Sequence, residues 1–449
     1  MLDETEIRHI VDTVLSASRA DQTEVAVFAG DSALTRFANN YIHQNVEQSD
    51  VDVHVRAVIG QRIGLASSND ISDDGLRQLA GRAHELALHQ RENEDFRSLP
   101  RPEPVASADA WVERTARCGP EERAAVAGQI CDASSRAGLV AAGAFHTAAH
   151  TFAVGNSLGV FALHRETQAD ISTVVMAGDA SGYAARVSKD VADIDGDEVA
   201  REAVDRTTRA MNPRKIEPGD YEVILEPYAV VDMLDFFSYL SFGALPFTEK
   251  RSFMSGRIGE RVMDEKVTIW DDGLSPAGIP MPFDYEGVPK RRVTFIEHGV
   301  AREVVWDSYY AGKQRGDARS TGHALPAGNT IGPMPMHMFM APGDATLDDM
   351  VSTTRRGLLV TRFWYTRTVH PLNVVTTGMT RDGTFLVEDG RIVGPVVNVR
   401  FTQDYVEALN HVDLVGSDPM LVLGDIGAGV RSVPALKLSR WHVTGISEA

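Results

Sequence analysis

Apolar residues recur at the spacing of one helix face at Ile7, Ile10, Val11, Val14 and Leu15, so the chain is expected to open on an amphipathic helix with a buried stripe. The period then drops to two. Val51, Val53, Val55 and Ala57 alternate with polar residues as in a half-buried strand, and Gly60-Gln61 turns the chain into a hairpin partner at 62–66. Two short strands are expected upstream, at 24–29 and 34–37. Ser72, followed by Asp73 and Asp74, reads as a helix start, because a hydroxyl cap and first-turn carboxylates satisfy the exposed amide end; Leu76, Leu79, Ala80, Ala83 and Leu86 continue its inner face.

Between 91 and 109 the pattern breaks, with Pro100, Pro102 and Pro104 favouring an extended connection. A helix opens at Pro120 and closes near Gly138, hairpin texture returns at 139–177 around an Asn156-Ser157-Leu158-Gly159 turn, and a helix from Asp195 ends at Asn212-Pro213. Lys215 to Asp220 is the expected boundary, giving an N-terminal domain over 1–214 and a β-rich C-terminal domain over 215–449. The second opens on an apolar strand, Val223-Ile224-Leu225, which leads through Pro227 into an apolar helix at 228–242. Further strands are expected at 267–270, 293–296, 300–306, 334–340, 384–388 and 391–399, with hairpin turns at His298-Gly299 and Asp389-Gly390. No repeat of fixed period is visible. The fold class is α+β: an N-terminal α/β domain with antiparallel hairpins and flanking helices, then a β-rich domain with a few helices.

Composition narrows the function classes. With 449 residues, 43% of them hydrophobic, the chain can bury sizeable cores. No run approaches the roughly 20 apolar residues of a bilayer span, and the N-terminus has no signal-like segment, so no membrane role is expected and the location is read as cytoplasmic. A formal charge of −19 argues against a nucleic-acid groove, which needs clustered Lys and Arg. Cys118 and Cys131 have no metal-ligand spacing and read as buried apolar fillers.

Candidate chemistry is sparse. His146 and His150 have HxxxH spacing, but on a strand such residues lie roughly 13 Å apart, so solvent-facing or structural histidines are the better reading. His323, His337 and His370, with Asp317 and Asp344, are the remaining set from which an unfamiliar metal site could be assembled. No GxSxG elbow is present, and Ser238 and Ser241 read as packed hydroxyls bonded to the preceding helical turn. GxxxxGK[ST] and GxGxxG are both absent. Met334, Met336, Met338 and Met340 alternate along one expected strand. They read either as a core face or, given Pro333 and Pro335, as part of a sheet edge that accepts an extended peptide, with His337 and His323 beside them as further peptide-binding candidates. Arg355, Arg356, Arg362 and Arg367 form a basic island suited to solvent, an acidic partner or a peptide carboxylate.

The order of several segments carries a resemblance. Ser320-Thr321-Gly322-His323-Ala324, the run 338–344, Gly378, and 388–393 with Pro395 resemble the C-terminal signature of the TldD/PmbA family. In the first half, 37–44, Val55-Arg56, 64–70 and 156–159 fall where that family has similar runs. The resemblance implies one of two subunit types. TldD-type chains carry an HExxxH helix whose histidines, with a distant cysteine, bind zinc while the glutamate activates water. PmbA-type chains, also called TldE, lack it.

This sequence is similar to the second type. No histidine lies between His164 and His298, and the glycine-rich run 424–429 has no cysteine. In one register Asp235 takes the glutamate's place, with Leu234 and Tyr239 where the histidines would be. The resemblance therefore implies no catalytic residue and no metal or other cofactor in this chain, with zinc in a TldD-like partner subunit and an extended peptide as substrate. It also places the methionine segment near the peptide cleft. Two alternatives remain at this stage: a homodimeric hydrolase with an unfamiliar metal site, and a non-catalytic regulatory or binding protein.

Overall fold

The computed structural model describes residues 2–314, 319–424 and 429–447. Helix α1 (Glu4–Ala17) starts as its sequence predicts, with Asp3 and Glu6 forming a reciprocal cap and Ile7, Ile10, Val11 and Val14 buried. Strands β1 (Gln22–Ala38), β2 (Tyr41–Ile59) and β3 (Arg62–Ser68) follow, then α2 (Asp73–His89), whose Ser72 cap accepts the Gly75 N–H. The two expected short strands are one: β1 runs through Gly30-Asp31-Ser32 because β2 and β4 pair with it on both sides across that stretch. On α2, Ala87 is buried in place of Leu86, which is 44% exposed.

Residues 90–112 form an irregular connection pinned by buried Phe96 and Leu99 and by an Asn156 side-chain bond to the Pro100 carbonyl. After a short α3 (Glu113–Ala116) the pattern of the first unit returns: α4 (Pro120–Arg136), β4 (Val140–Asn156), β5 (Phe161–Ala177), β6 (Ala180–Ser188) and α5 (Gly196–Arg209). The sequence shows no repeat, yet the order helix, three-stranded meander, helix occurs twice. The two meanders join through antiparallel β1 and β4 into one sheet of order β3-β2-β1-β4-β5-β6. Each unit packs its last strand on its last helix at a glycine. A Cβ on Gly64 would strike the α2 backbone at Ala83 and Ala87, and one on Gly182 the α5 backbone at Ala203 and Thr207. One face of this sheet is covered by helices; part of the other faces the second half of the chain.

That half contains β7 (Gly219–Leu225), α6 (Pro227–Leu240), β8 (Ile269–Asp271), β9 (Val293–Glu297), β10 (Val300–Ala301), β11 (Met338–Met340), β12 (Arg356–His370), β13 (Val375–Glu388), β14 (Arg391–Pro395), β15 (Val399–Asp404), β16 (Val412–Val415), β17 (Met420–Leu423), β18 (Val430–Val433) and β19 (Leu436–Ile446). Strands β12, β7, β19, β15 and β13 pair in that order and β13 pairs back onto β12, so five strands close on themselves. Phe363, Phe401 and Trp441 fill the interior, with ring centroids 4.6 to 5.2 Å apart. A second sheet has the order β10-β9-β8-β11-β18-β17. The expected strand at 300–306 is only two residues long and that at 334–340 only three. No helix among the described residues is long and apolar enough to cross a membrane.

Candidate functional site

Helix α6 is hydrophobic on nearly every side, with 11 of its 14 residues buried. Such a helix must be enclosed, and it lies in the core shared by the barrel and the second sheet. Leu234 is fully buried in that core, whereas Tyr239 is 44% exposed. Between them Asp235, 1% exposed, meets the guanidinium of Arg431 on β18 at 3.1 Å. Arg431 also donates to the Met336 carbonyl at 3.0 Å. The Ser238 hydroxyl donates to the Pro335 carbonyl at 3.0 Å rather than to its own helix, contrary to the sequence expectation, because the methionine segment lies against that face. Two glycines let the chain pass this closely: a Cβ on Gly424 would strike the Asp235 carboxylate, and Gly429, at φ +101°, lies against the Met336 carbonyl.

These residues do not fit a zinc site. In the register that the resemblance implies, one histidine position is a leucine in the core, the carboxylate is held by a buried arginine, and the other position turns outward. Among the described residues no three His, Cys, Asp or Glu side chains converge as metal ligands. Of the glycine-rich run, 425–428 lie outside the described residues, as does Asp317.

The methionine row is not a sheet edge. Strand β11 pairs with β8 on one side and β18 on the other, and Met338 and Met340 are buried core residues. The prolines lie in the irregular segment before it. Met334 donates its N–H to the His323 carbonyl, and only Met336 and His337 reach the wall of a cavity of about 450 Å³. This cavity lies between the free face of the N-terminal sheet and the C-terminal half, and Phe28, Phe152, Tyr285, His150, His164 and Glu166 also line it. Phe28, Phe152 and Tyr285 form an aromatic cluster with centroids 4.9 to 5.8 Å apart. Two smaller cavities of about 220 and 280 Å³ adjoin it, the first sharing Phe28 with it and Arg56 and Leu65 with the second.

Behind His337 lies a buried charged group that the sequence reading missed. Asp271 accepts His323 Nε2 at 2.8 Å and the backbone N–H groups of Met336 and His337 at 2.9 and 2.7 Å. Lys290 Nζ is 3.4 Å from His337 Nδ1. Burial alone would raise the Asp271 carboxyl, but His323 and then Lys290 and His337 outweigh it and hold it below the usual range. Burial pushes Lys290, His323 and His337 down from their usual values, His337 furthest below the ordinary imidazole range. His323 and His337 thus meet around one carboxylate; His370, on an exposed hairpin, does not join them, and Asp344 is an exposed loop residue. His146 bonds Asp170 at 2.9 Å while His150 lines the cavity, so this pair is not brought together.

A second group joins the two halves. Arg56 is held by Glu24 at 2.5 Å and by Glu286 at 3.0 Å. Burial, with Glu286 adding, pushes Asp284 up to about 8 and Asp307 up to about 7. Asp307 accepts the Tyr310 N–H at 2.7 Å. Folded Asp307 keeps its proton to about pH 7, whereas the unfolded carboxyl releases it near 3.8. Its contribution to stability is therefore fully present below 3.8 and is lost as pH rises toward 7, at no more than about 1.4 kcal/mol per pH unit. Asp307→Asn retains the acceptor for Tyr310 and is expected to flatten the fall in urea-unfolding free energy between about pH 5 and pH 7; an unchanged slope contradicts this assignment.

One of the missed residues had a signal. Arg431 is a lone charge between Val430 and Val433, and a charge there is buried with a partner or not tolerated; Asp271, followed by Asp272, and Lys290, followed by Arg291 and Arg292, look like surface charges in the sequence. The basic island is not one site: Arg362 pairs with Asp382 and stacks on Tyr183, Arg367 stacks on Tyr365, and Arg356 on Tyr221. Cys118 and Cys131 are buried, free thiols.

The chain is similar to known proteins across most of its length. Residues 218–445 match the family model of the PmbA/TldA metallopeptidase C-terminal domain, 23–87 that of domain 1, and 118–211 that of the central domain. The last two correspond to the two repeated units of the N-terminal sheet. A metalloprotease of Methanothermobacter thermautotrophicus is 26% identical over 259 residues, 54% of this chain and 52% of the relative. A zinc metalloprotease TldD homolog of Saccharolobus solfataricus is 25% identical over 214 residues, 44% of each. The chain thus spans about half the length, or less, of these curated relatives. The crystal structure of TldE from Thermococcus kodakarensis superposes with a TM-score of 0.89 at 20% identity, covering 98% of this chain and 100% of that one. A Thermotoga maritima protein described as a candidate modulator of a DNA gyrase superposes with a TM-score of 0.87 at 16% identity, with the same coverage. These likenesses establish the fold, and the family models, which together cover most of the residues, establish that the chain belongs to the PmbA/TldD family.

Proposed function

We propose that this chain is a TldE-like, metal-free subunit that handles extended, unfolded or modified peptides in the cytoplasm and pairs with a zinc-bearing TldD-like subunit that cleaves them. The observation that carries this reading is the Asp235–Arg431 pair. In the register taken from the resemblance Asp235 stands where a TldD-type helix carries its glutamate, and here it is held in a buried pair with Arg431, with Leu234 in the same core. What the chain offers is a cleft: adjoining cavities whose walls combine aromatic rings with histidines and carboxylates, of the size that binds small ligands or peptide side chains. Holding an extended peptide in register there would assist a partner's chemistry by positioning alone.

The test is reconstitution. This chain alone is expected to leave a fluorogenic peptide intact, and mixing it with a TldD-like chain is expected to produce cleavage that a chelator abolishes. Cleavage by the repurified chain alone after chelation would refute the proposal. It would favour the second reading, an active site of this chain's own, for which buried His337 in the cavity wall, with Lys290 Nζ 3.4 Å from its Nδ1, is the supporting observation.

A further inference from the structure

The sheet that floors the cleft does not end with it. Strand β2 pairs with β1 from Tyr41 to Val58, but β3 covers its outer edge only from Val53 to Ile59. Among the described residues no strand pairs with the outer edge at 41–52, and residues 41–50 are all exposed. Twelve such residues span roughly 40 Å. Proteins usually protect an edge of that length with proline, lysine or a bulge. This one has no proline or lysine, and its one bulge, at His43 where the pairing steps from Arg36–Gln44 to Phe37–Ile42, leaves 44–52 in regular register.

The edge is continuous with the cavity. Asp50 and Asp52 lie in the cavity wall beside Gly30 and Ser32. The two-residue period of a strand puts Gln48, Val46 and Gln44 in the same row, running outward from that wall, while the bulge at His43 puts Ile42 on the other face with Phe37. Val46 is 42% exposed. Within the row Asp50 accepts from the Gln48 amide, and Asp52 meets His54 at 2.7 Å.

We infer that the Tyr41–Asp52 edge is a peptide-docking strand, to which an extended segment with basic side chains adds by main-chain hydrogen bonding before it enters the cavity. This rests on the peptide-handling reading above. Main-chain pairing would supply affinity without demanding a sequence, and the acidic inner end of the row selects positive charge. A second copy of the chain is a poorer occupant, since each carries a formal charge of −19.

The probe is a fluorescein-labelled dodecapeptide of alternating threonine and lysine, compared with the same peptide N-methylated at alternate residues and with a threonine–glutamate version. Binding to the full chain is read by anisotropy and by amide hydrogen exchange. The expected result is new protection at 41–52, with binding about tenfold weaker for both altered peptides, as loss of a few main-chain hydrogen bonds or of charge complementarity requires. Binding with protection confined to the cavity walls and no N-methylation effect overturns the docking strand and leaves the peptide-handling reading intact. Absence of binding by any of the peptides overturns that reading as well. Protection of 41–52 that grows with protein concentration without peptide assigns the edge to a second copy and overturns the inference.

Discussion

Replacing Arg431 with methionine is expected to destabilise the chain by about 3–5 kcal/mol in urea unfolding, because it leaves the Asp235 carboxylate charged and buried among apolar groups. Arg431 is fully buried; it meets Asp235 at 3.1 Å and carries the Met336 carbonyl at 3.0 Å. Asp235→Leu alone is expected to cost a similar amount for the mirrored reason. The double variant, with both charges replaced by apolar groups of comparable volume, is expected to recover most of the loss, since removing a whole buried pair is far cheaper than halving it. Additive losses in the double variant would show that the two side chains act independently.

Installing the missing motif is expected to fail. The variant Leu234→His, Asp235→Glu, Tyr239→His carries the HExxxH pattern, yet its first change puts an imidazole into a core position with no exposure. Losing the leucine contacts and burying an unpaired polar ring is expected to cost about 2–5 kcal/mol. The second change lengthens a carboxylate that already lies against Arg431 and Gly424. The third alters an exposed side chain and is expected to cost little. No further ligand stands ready, because no other cluster of ligating side chains exists among the described residues. The expected outcome is a lower unfolding midpoint, no bound zinc by elemental analysis and no zinc-dependent peptide cleavage. Zinc-dependent turnover from these three changes would overturn the account of α6.

Much of the fold was legible because it is local. The Ser72 and Asp195 caps, the turns at Gly60-Gln61, His298-Gly299 and Asp389-Gly390, and the apolar helix after Pro227 all occur where their residues predict them. These signals act over a few residues, where capping and backbone preference decide. The errors share one cause. Gly30-Asp31-Ser32 looks like a break and is continuous strand because neighbours on both sides hold it extended. The methionine row reads as one continuous strand and is an irregular segment leading into a three-residue central strand, although its reading as a core face is right for Met338 and Met340. Strand pairing is non-local, so neither outcome is encoded in the run itself.

The candidate site divides in the same way. From its sequence alone the chain has no histidine on the apolar helix after Pro227, carries a formal charge of −19, and shows the TldD/PmbA pattern of segments. Those are properties of residue identity and order. That Asp235 is bound to Arg431, 196 positions away, that Asp271, His323, His337 and Lys290 form one buried group, and that the methionines mostly serve the core depend on distances between strands remote in sequence. Burial in a low dielectric makes those partnerships decisive, since an isolated charge there is not tolerated and its partner can come from anywhere in the chain. Residue identity excluded the zinc helix; only the folding of α6 against β18 decided what replaced it.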